Sequence, residues 1–324
     1  MSGTHDQARA DRAVAAPGEA ASGEAAPEDE SLDGAPPRAA LALHFWGVRG
    51  SVPAPGAGTT RYGGNTSCVE LRTTDGRRLV LDAGTGLRAL GEAIAAEGDA
   101  PFGGSDAHVV VTHAHADHLQ GLPFFLPLSR GGGTVTLHAA PAQAEAVETA
   151  ARALLRPPLF PHADGMLRRL RVAALRDGVW VNGFVVRPIA AAHPGGASGF
   201  RVYCEAVRRT VVYLPDNELA AVDGEGGGRR ALLEAVAGAD VLIHDATYLP
   251  SELATFRGWG HSSYAEAVRL AADAGVPRLV LFHHAPSRDD AAVDGIARIA
   301  RALAAAARGR LEVSAAAEGE ILAL

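Results

Sequence analysis

The stretch Thr112-His113-Ala114-His115-Ala116-Asp117-His118 constrains this chain more than any other. It follows directly on His108-Val109-Val110-Val111, which reads as a short buried strand. Leu119-Gln120-Gly121-Leu122-Pro123 after it reads as a turn of helix. Three histidines and an aspartate within six positions make a metal-ligand cluster. Imidazole suits Zn, Mn, Fe and Ni, and a carboxylate among the imidazoles shifts the set toward hard or borderline ions and bound water. The plainer reading is a chance pile-up in a polar loop, an event of about one in a thousand at this chain's His and Asp frequencies. Alternate residues of an extended loop point apart, so four such ligands do not close on one tetrahedral ion without strain. Two ions sharing the loop is the simpler arrangement, with His113 and His115 on one and Asp117 and His118 on the other.

The motif resembles that of the metallo-β-lactamase-fold hydrolases, in which it carries this division of labour. The resemblance implies three more ligands far downstream. His193 lies in a small-residue loop at a strand end, Asp216 follows Val211-Val212-Tyr213-Leu214, and His283 follows Leu279-Val280-Leu281-Phe282. Each alone reads as structural. In order, they fall where the family places its third histidine, its bridging aspartate and its last histidine. The implied set is His113, His115 and His193 on one ion, Asp117, His118 and His283 on the other, and Asp216 between them. Spacing after the strand favours His283, with His284 as the fallback. Asp82, before Ala83-Gly84, reads either as a solvated turn residue or, by the resemblance, as a carboxylate beneath the metal loop that hydrogen-bonds its ligands.

A second constellation narrows the implied chemistry. Val241-Leu242-Ile243 runs into His244-Asp245-Ala246-Thr247, and Gly260-His261-Ser262-Ser263 opens a helix with Ser262 as the expected N-cap and Ala265 to Ala274 as the body. Residues 260–286 resemble the C-terminal part of the ribonuclease Z-type phosphodiesterases. His244 to Thr247 resembles their His-Glu-Ala-Thr loop with Asp for Glu, and His261 to Ser263 resembles their His-Ser-Thr loop with Ser for Thr. In that family the carboxylate steadies the histidine, which serves the scissile phosphate. The resemblance thus gives Asp245 and His261 catalytic roles beside Asp117; the plainer reading is that His261 caps or packs. Phe45-Trp46-Gly47-Val48-Arg49-Gly50-Ser51-Val52-Pro53 and Arg61-Tyr62-Gly63-Gly64-Asn65-Thr66-Ser67-Cys68 are similar to a bacterial and archaeal branch of metal-dependent hydrolases. The likeness covers about residues 41–324.

The order of strands and helices suits an α/β (α+β) architecture, the metallo-β-lactamase αββα sandwich of two mixed sheets flanked by helices. Residues 1–38 are Ala, Gly, Pro, Glu and Asp with almost no large apolar side chain, and are expected to be a disordered acidic tail; residues 39–324 form the hydrolase domain. Removing the tail's net −5 from the chain's −7 leaves −2, which gives no field to hold a polymeric nucleic acid. No secretory leader and no apolar run of 18 residues is present, so no membrane partner is expected. Cys68 and Cys204 are isolated, consistent with reducing cytoplasm.

The expected function is a dinuclear metal-dependent hydrolase, a phosphodiesterase acting on small or cyclic phosphodiesters through a metal-bound hydroxide. The ions are divalent, zinc first and manganese or iron next. Arg49 or Arg61 is expected to hold a distal phosphate, and Phe160, within Pro157 to Pro161, to close over a small ligand. Rival readings are a thioester or lactone hydrolase on the same fold, a transfer-RNA 3′-end endonuclease, and a non-catalytic metal-binding regulator. Endonucleases of the resembled family carry a Gly- and Lys/Arg-rich arm between the metal loop and the bridging aspartate. Here residues 119–215 hold one basic cluster, Arg168, Arg169 and Arg171, and no Gly-rich arm. A homodimer stays open as a further partner.

Overall fold

A computed structural model describes residues 40–98, 106–130, 133–161, 163–222, 228–307 and 310–324. The acidic tail expected over residues 1–38 lies outside the described residues. In chain order the strands are β1 (Leu41–Gly47), β2 (Cys68–Thr73), β3 (Arg78–Leu81), β4 (Ala107–Val111), β5 (Val135–Ala139), β6 (Leu170–Ala174) and β7 (Val179–Val181). Then come β8 (Phe184–Ala191), β9 (Ala197–Cys204), β10 (Arg209–Leu214), β11 (Val241–Asp245), β12 (Arg278–Phe282), β13 (Glu312–Ala315) and β14 (Ile321–Ala323). The helices are α1 (Gly86–Ala96), α2 (Leu126–Arg130), α3 (Ala144–Leu154), α4 (Asp164–Arg169), α5 (Leu219–Val222), α6 (Gly228–Val236), α7 (Tyr264–Asp273) and α8 (Asp290–Ala306). One sheet runs β14-β1-β2-β3-β4-β5-β6 and the other β13-β12-β11-β10-β9-β8-β7. Both mix antiparallel and parallel pairs.

The side-chain pattern dictates the layering. In β1, Leu41, Leu43 and Phe45 are buried while Ala42, His44 and Trp46 are partly exposed, a period of two that marks one wet face. In β11, all five residues are buried, as expected of a strand covered on both sides. Leu43, Phe45, Leu71 and Leu81 of one sheet meet Phe200, Tyr213, Ile243 and Phe282 of the other in a core between the sheets. Leu87, Leu90, Leu128 and Val147 cover the outer face of the first sheet, and Leu232, Leu270, Val293 and Ala300 that of the second. This is the expected αββα sandwich.

Parallel pairing places the reactive loops. β3, β4, β5 and β6 run parallel in one sheet, as do β10, β11, β12 and β13 in the other. Their C-terminal ends therefore gather at one rim, where open α/β sheets hold their ligands. Asp82 follows β3, the His113 loop follows β4, Asp216 follows β10, Asp245 ends β11 and His283 follows β12. Tyr213 crosses between the sheets to donate its hydroxyl to Asp82 at 2.9 Å.

Two local details matter here, the first of them a departure from the sequence reading. The N-cap of α7 is Ser263, not Ser262: Ser263 Oγ accepts from the Glu266 amide and Glu266 reaches back to the Ser263 amide, a reciprocal capping box. Ser262 instead accepts from the Leu219 amide and donates to the Asn217 carbonyl, tying this turn to the loop after β10. The second detail is His138, which faces His108 with Nε2 3.0 Å from its Nδ1. Burial, and then the neighbouring His108, push the His138 pKa down to about 4. The unfolded chain, with an ordinary His pKa near 6.5, takes up this proton first. Stability from this group is therefore complete above about pH 6.5 and falls toward pH 4, with a slope of up to about 1.4 kcal/mol per pH unit. Urea midpoints at pH 7 and pH 5 are expected to differ less in His138→Gln than in the wild type. An unchanged difference would remove His138 as a source of acid sensitivity.

Candidate active site

The rim brings together seven residues from four loops. Asp216 stands at the centre. Its Oδ1 is 3.1 Å from His118 Nε2 and 3.2 Å from His283 Nε2, while its Oδ2 is 3.8 Å from His113 Nε2 and 3.7 Å from His193 Nε2. Asp117 Oδ2 lies 3.3 Å from His118 Nε2 and 3.1 Å from His283 Nε2. His193 Nε2 meets His115 Nδ1 at 3.1 Å. Ligand atoms of His113, His115 and His193 thus converge on one point, and those of Asp117, His118 and His283 on another. One oxygen of Asp216 faces each group.

This donor set fits a pair of divalent cations. His113 Nε2, His118 Nε2 and Asp216 Oδ1 are buried and have no hydrogen-bond partner among the described residues. Each such atom costs about 1–3 kcal/mol if left unpaired. Burial first, and then the neighbouring imidazole of His118, hold the His113 pKa well below the usual range, which leaves its ring neutral and able to ligate. Burial opposes the charge on Asp117 and Asp216, but the surrounding His118 and His283 outweigh it and keep both carboxylates ionised.

An outer set of contacts aims these side chains. Asp82, held at φ 61°, accepts from Thr112 N at 2.8 Å and from Thr112 Oγ1 at 3.0 Å, and takes His118 Nδ1 at 2.8 Å. His118 Nε2 is thereby directed to the cleft, as metal-binding imidazoles usually are. His193 Nδ1 donates to the Gly260 carbonyl at 3.0 Å, and Thr247 Oγ1 stands 3.1 Å from His283 Nδ1. Ser51, at φ 63°, donates its amide to Asp117 Oδ2 at 2.7 Å. Gly50 lies so close to His283 that a Cβ there would overlap the imidazole ring.

His261 joins the cleft from the start of α7. Its Nδ1 is 2.7 Å from Asp245 Oδ2, and Asp245 Oδ1 accepts from the Thr247 amide at 2.9 Å. Burial opposes protonation of His261, but the charge and hydrogen bond of Asp245 outweigh it and raise the pKa to about 9. The ring stacks near His283, with centroids 4.9 Å apart. His283 itself sits at φ 59°, a left-handed turn that sends it into the cleft, whereas His284 faces away, its Nε2 donating to the Ala316 carbonyl at 2.9 Å.

Three expected substrate contacts fall elsewhere. Arg49 is fully buried; its Nε donates to the Gly63 carbonyl at 2.7 Å and its Nη1 to the Arg288 carbonyl at 2.6 Å. It ties the glycine-rich loop to the chain after β12 and does not line the cleft. Arg61 pairs with Asp294 and donates to the Asp290 carbonyl at 3.1 Å, which fastens the same loop to α8. Phe160 packs edge-on against Phe124, centroids 6.1 Å apart, and the Pro157–Pro158 loop beside it borders a separate groove with Glu145 and Arg152. Sequence reasoning missed Ser51, Thr247, Glu218 and Trp259. Their nearness to the recognised motifs was the only available signal, because each acts through a backbone turn or a contact from another loop.

A family model described as "Beta-lactamase superfamily domain" matches residues 77–284. Ribonuclease Z of Limosilactobacillus fermentum is 30% identical over 214 residues, covering 54% of this chain and 68% of that protein. Among solved structures, the metallo-beta-lactamase fold protein YhfI from Bacillus subtilis is 18% identical, covers 88% of this chain and 99% of its own, and superposes with a TM-score of 0.62. Unliganded yeast PDE1 is 16% identical at the same coverage, with a TM-score of 0.65. The structural likenesses carry the fold, and the sequence match runs from the start of β3 through His283. On that ground the chain belongs to the β-lactamase superfamily, as a metal-dependent hydrolase of the metallo-β-lactamase fold and the ribonuclease Z-like branch.

Proposed function

We propose that the protein hydrolyses small or cyclic phosphodiesters. The observation that carries this reading is the Asp245–His261 pair at 2.7 Å beside the seven-residue cluster. A thioester expels a thiolate that departs without much protonation, whereas a phosphodiester with an alkoxide leaving group gains from a positioned acid. We assign His113, His115 and His193 to one ion, Asp117, His118 and His283 to a second, and Asp216 to both, with zinc as the first choice of metal. When bound, the two ions supply charge stabilisation at the phosphoryl oxygens and make water acidic enough to attack near neutral pH. Asp117 orients the attacking water, and Ser51 N fixes that carboxylate through Oδ2. The water gives up one proton to solvent, and its oxygen forms the new P–O bond as the bond to the leaving oxygen breaks. His261 delivers its Nε2 proton to that oxygen, while Nδ1 stays bonded to Asp245 and the imidazole keeps its orientation.

A second reading, RNA 3′-end cleavage, draws on the ribonuclease Z relatives. Among the described residues between 119 and 215, short helices and strands fill the chain and no projecting arm interrupts them. Arg169 is also committed locally, its Nε donating to the Leu128 carbonyl at 2.9 Å. The small-substrate reading follows from these features together with the modest charge. We assign the reaction to the reducing cytoplasm, in keeping with two free, buried cysteines. Among the described residues no helix is long and apolar enough to cross a membrane.

The test is a panel at fixed salt: a chromogenic phosphodiester, a cyclic nucleotide, a precursor tRNA, a thioester and a lactone. Turnover of the small diesters well above the rest is expected. Efficient cleavage at a tRNA 3′ end without small-diester turnover would overturn the small-substrate reading, and preference for the thioester or lactone would overturn the phosphate reading.

A further inference from the structure

Trp259 is 61% exposed and lines the cleft that holds the histidine and aspartate cluster. Trp180 is comparably exposed, at 58%, so it is the placement of the Trp259 indole at this cleft that calls for a reason. Among the described residues, the other exposed large apolar side chains, Phe124, Leu159 and Trp180 included, do not border this cleft. Trp259 is also held unusually firmly. The buried carboxylate of Glu218 accepts the Gly258 amide at 2.8 Å on one oxygen and the Gly260 amide at 2.9 Å on the other, one bond on each side of the tryptophan. Gly258 and Gly260 adopt φ of +81° and +86°, and a Cβ on Gly260 would overlap the His193 ring. The indole rests edge-on against Phe256, centroids 5.4 Å apart, and Phe256 stacks flat on Tyr248 at 4.8 Å. Tyr248 in turn meets His261 edge-on at 5.7 Å. An aromatic relay thus runs from the indole to the imidazole that faces the leaving group.

The composition of the cleft points the same way. It holds about 310 Å³, at the small end for a ligand site. Its lining contains no Lys or Arg, and Trp259 is its one aromatic side chain other than the histidines. Beyond the reacting phosphate, binding at this wall therefore depends on apolar and π contact rather than on a second anion. Rigidly held aromatic surface binds flat rings at low entropic cost.

Resting on the phosphodiesterase reading, we infer that Trp259 is a stacking platform for an aromatic base and that the substrate is a nucleoside-containing small phosphodiester rather than a purely alkyl one. The Glu218 clamp positions this platform relative to His193 and His261.

The test compares wild type, Trp259→Ala and Trp259→Phe, all metal-loaded, on an adenosine cyclic phosphate and on glycerol 1,2-cyclic phosphate. In Trp259→Ala the KM for the adenosine diester is expected to rise about 5- to 150-fold relative to that for the glycerol diester, the range that one base–aromatic stack supplies. Values of kcat should move little, and Trp259→Phe should recover most of the loss. Calorimetry gives a readout independent of turnover. Wild type should bind adenosine monophosphate more tightly than ribose 5-phosphate, and Trp259→Ala should bind the two alike. Equal losses on both diesters, or an adenosine preference that survives in Trp259→Ala, would overturn the platform. If wild type turns over neither diester, the phosphodiesterase reading fails, and the adenosine-versus-ribose comparison still judges Trp259 by itself: equal binding of the two by wild type overturns the platform.

Discussion

Asp216→Ala is expected to reduce hydrolysis at least about a thousandfold and to lower the metal content of the purified protein from about two divalent ions per chain to one or none. The expectation rests on geometry that no other described side chain shares. Asp216 sends one oxygen toward His118 and His283 and the other toward His113 and His193. Its removal leaves the two groups of ligands without a common carboxylate and adds an uncompensated cluster of buried imidazoles. Elemental analysis after purification without chelator, with activity measured on the same sample, checks both halves. Chelation of the wild type should also lower its thermal midpoint, because His113 Nε2, His118 Nε2 and Asp216 Oδ1 then lack partners. Active wild-type protein free of divalent metal, or an Asp216→Ala variant that keeps two ions and most of its activity, would end the dinuclear assignment.

His261→Ala is expected to depress turnover roughly 10²–10⁴-fold while the metal content stays unchanged. The dependence on leaving group separates acid catalysis from positioning. A nitrophenolate departs without much protonation, so its hydrolysis should suffer least, and an alkoxide should suffer most. Asp245→Asn should give a milder form of the same pattern, since Asp245 holds Nδ1 of the ring and its loss leaves Nε2 present but less firmly aimed. Uniform losses across leaving groups would make His261 a positioning residue. Loss of metal in His261→Ala would make it part of the metal site, a real alternative because its ring also lies near His193 and Asp216.

Much of this was legible in the sequence because local chemistry and local pattern coincide. His113 to His118 compress four ligands into one loop after an apolar strand, while Asp82, Asp216 and His283, each at a strand end, took their expected roles from the family resemblance. Apolar runs such as Val109–Val111, Val211–Leu214 and Leu279–Phe282 marked strands, and each of them is one. Short elements with weak patterns, such as β7 (Val179–Val181) and β14 (Ile321–Ala323), were not readable, since edge strands of three residues gain their identity from the neighbour they pair with.

The roles of side chains that look alike in sequence depended on the third dimension. His283 and His284 are adjacent and chemically identical, and only the left-handed turn at His283 and the waiting Ala316 carbonyl separate them. Arg49 and Arg61 had the charge for a phosphate, yet carbonyl oxygens from Ala285 and Arg288, and the carboxylate of Asp294, claim them. Ser262 was the expected cap, but the loop after β10 takes its hydroxyl and Ser263 caps the helix instead. The sequence by itself determined the donor types, their order along the chain and the layers that bury the core, because these follow from chemistry and from side-chain periodicity. Only the tertiary structure decided which polar groups face the cleft and which are consumed as struts, because a buried hydrogen-bonding group takes the partner that packing brings to it, and for Arg49 that partner, Arg288, lies 239 residues away in the chain.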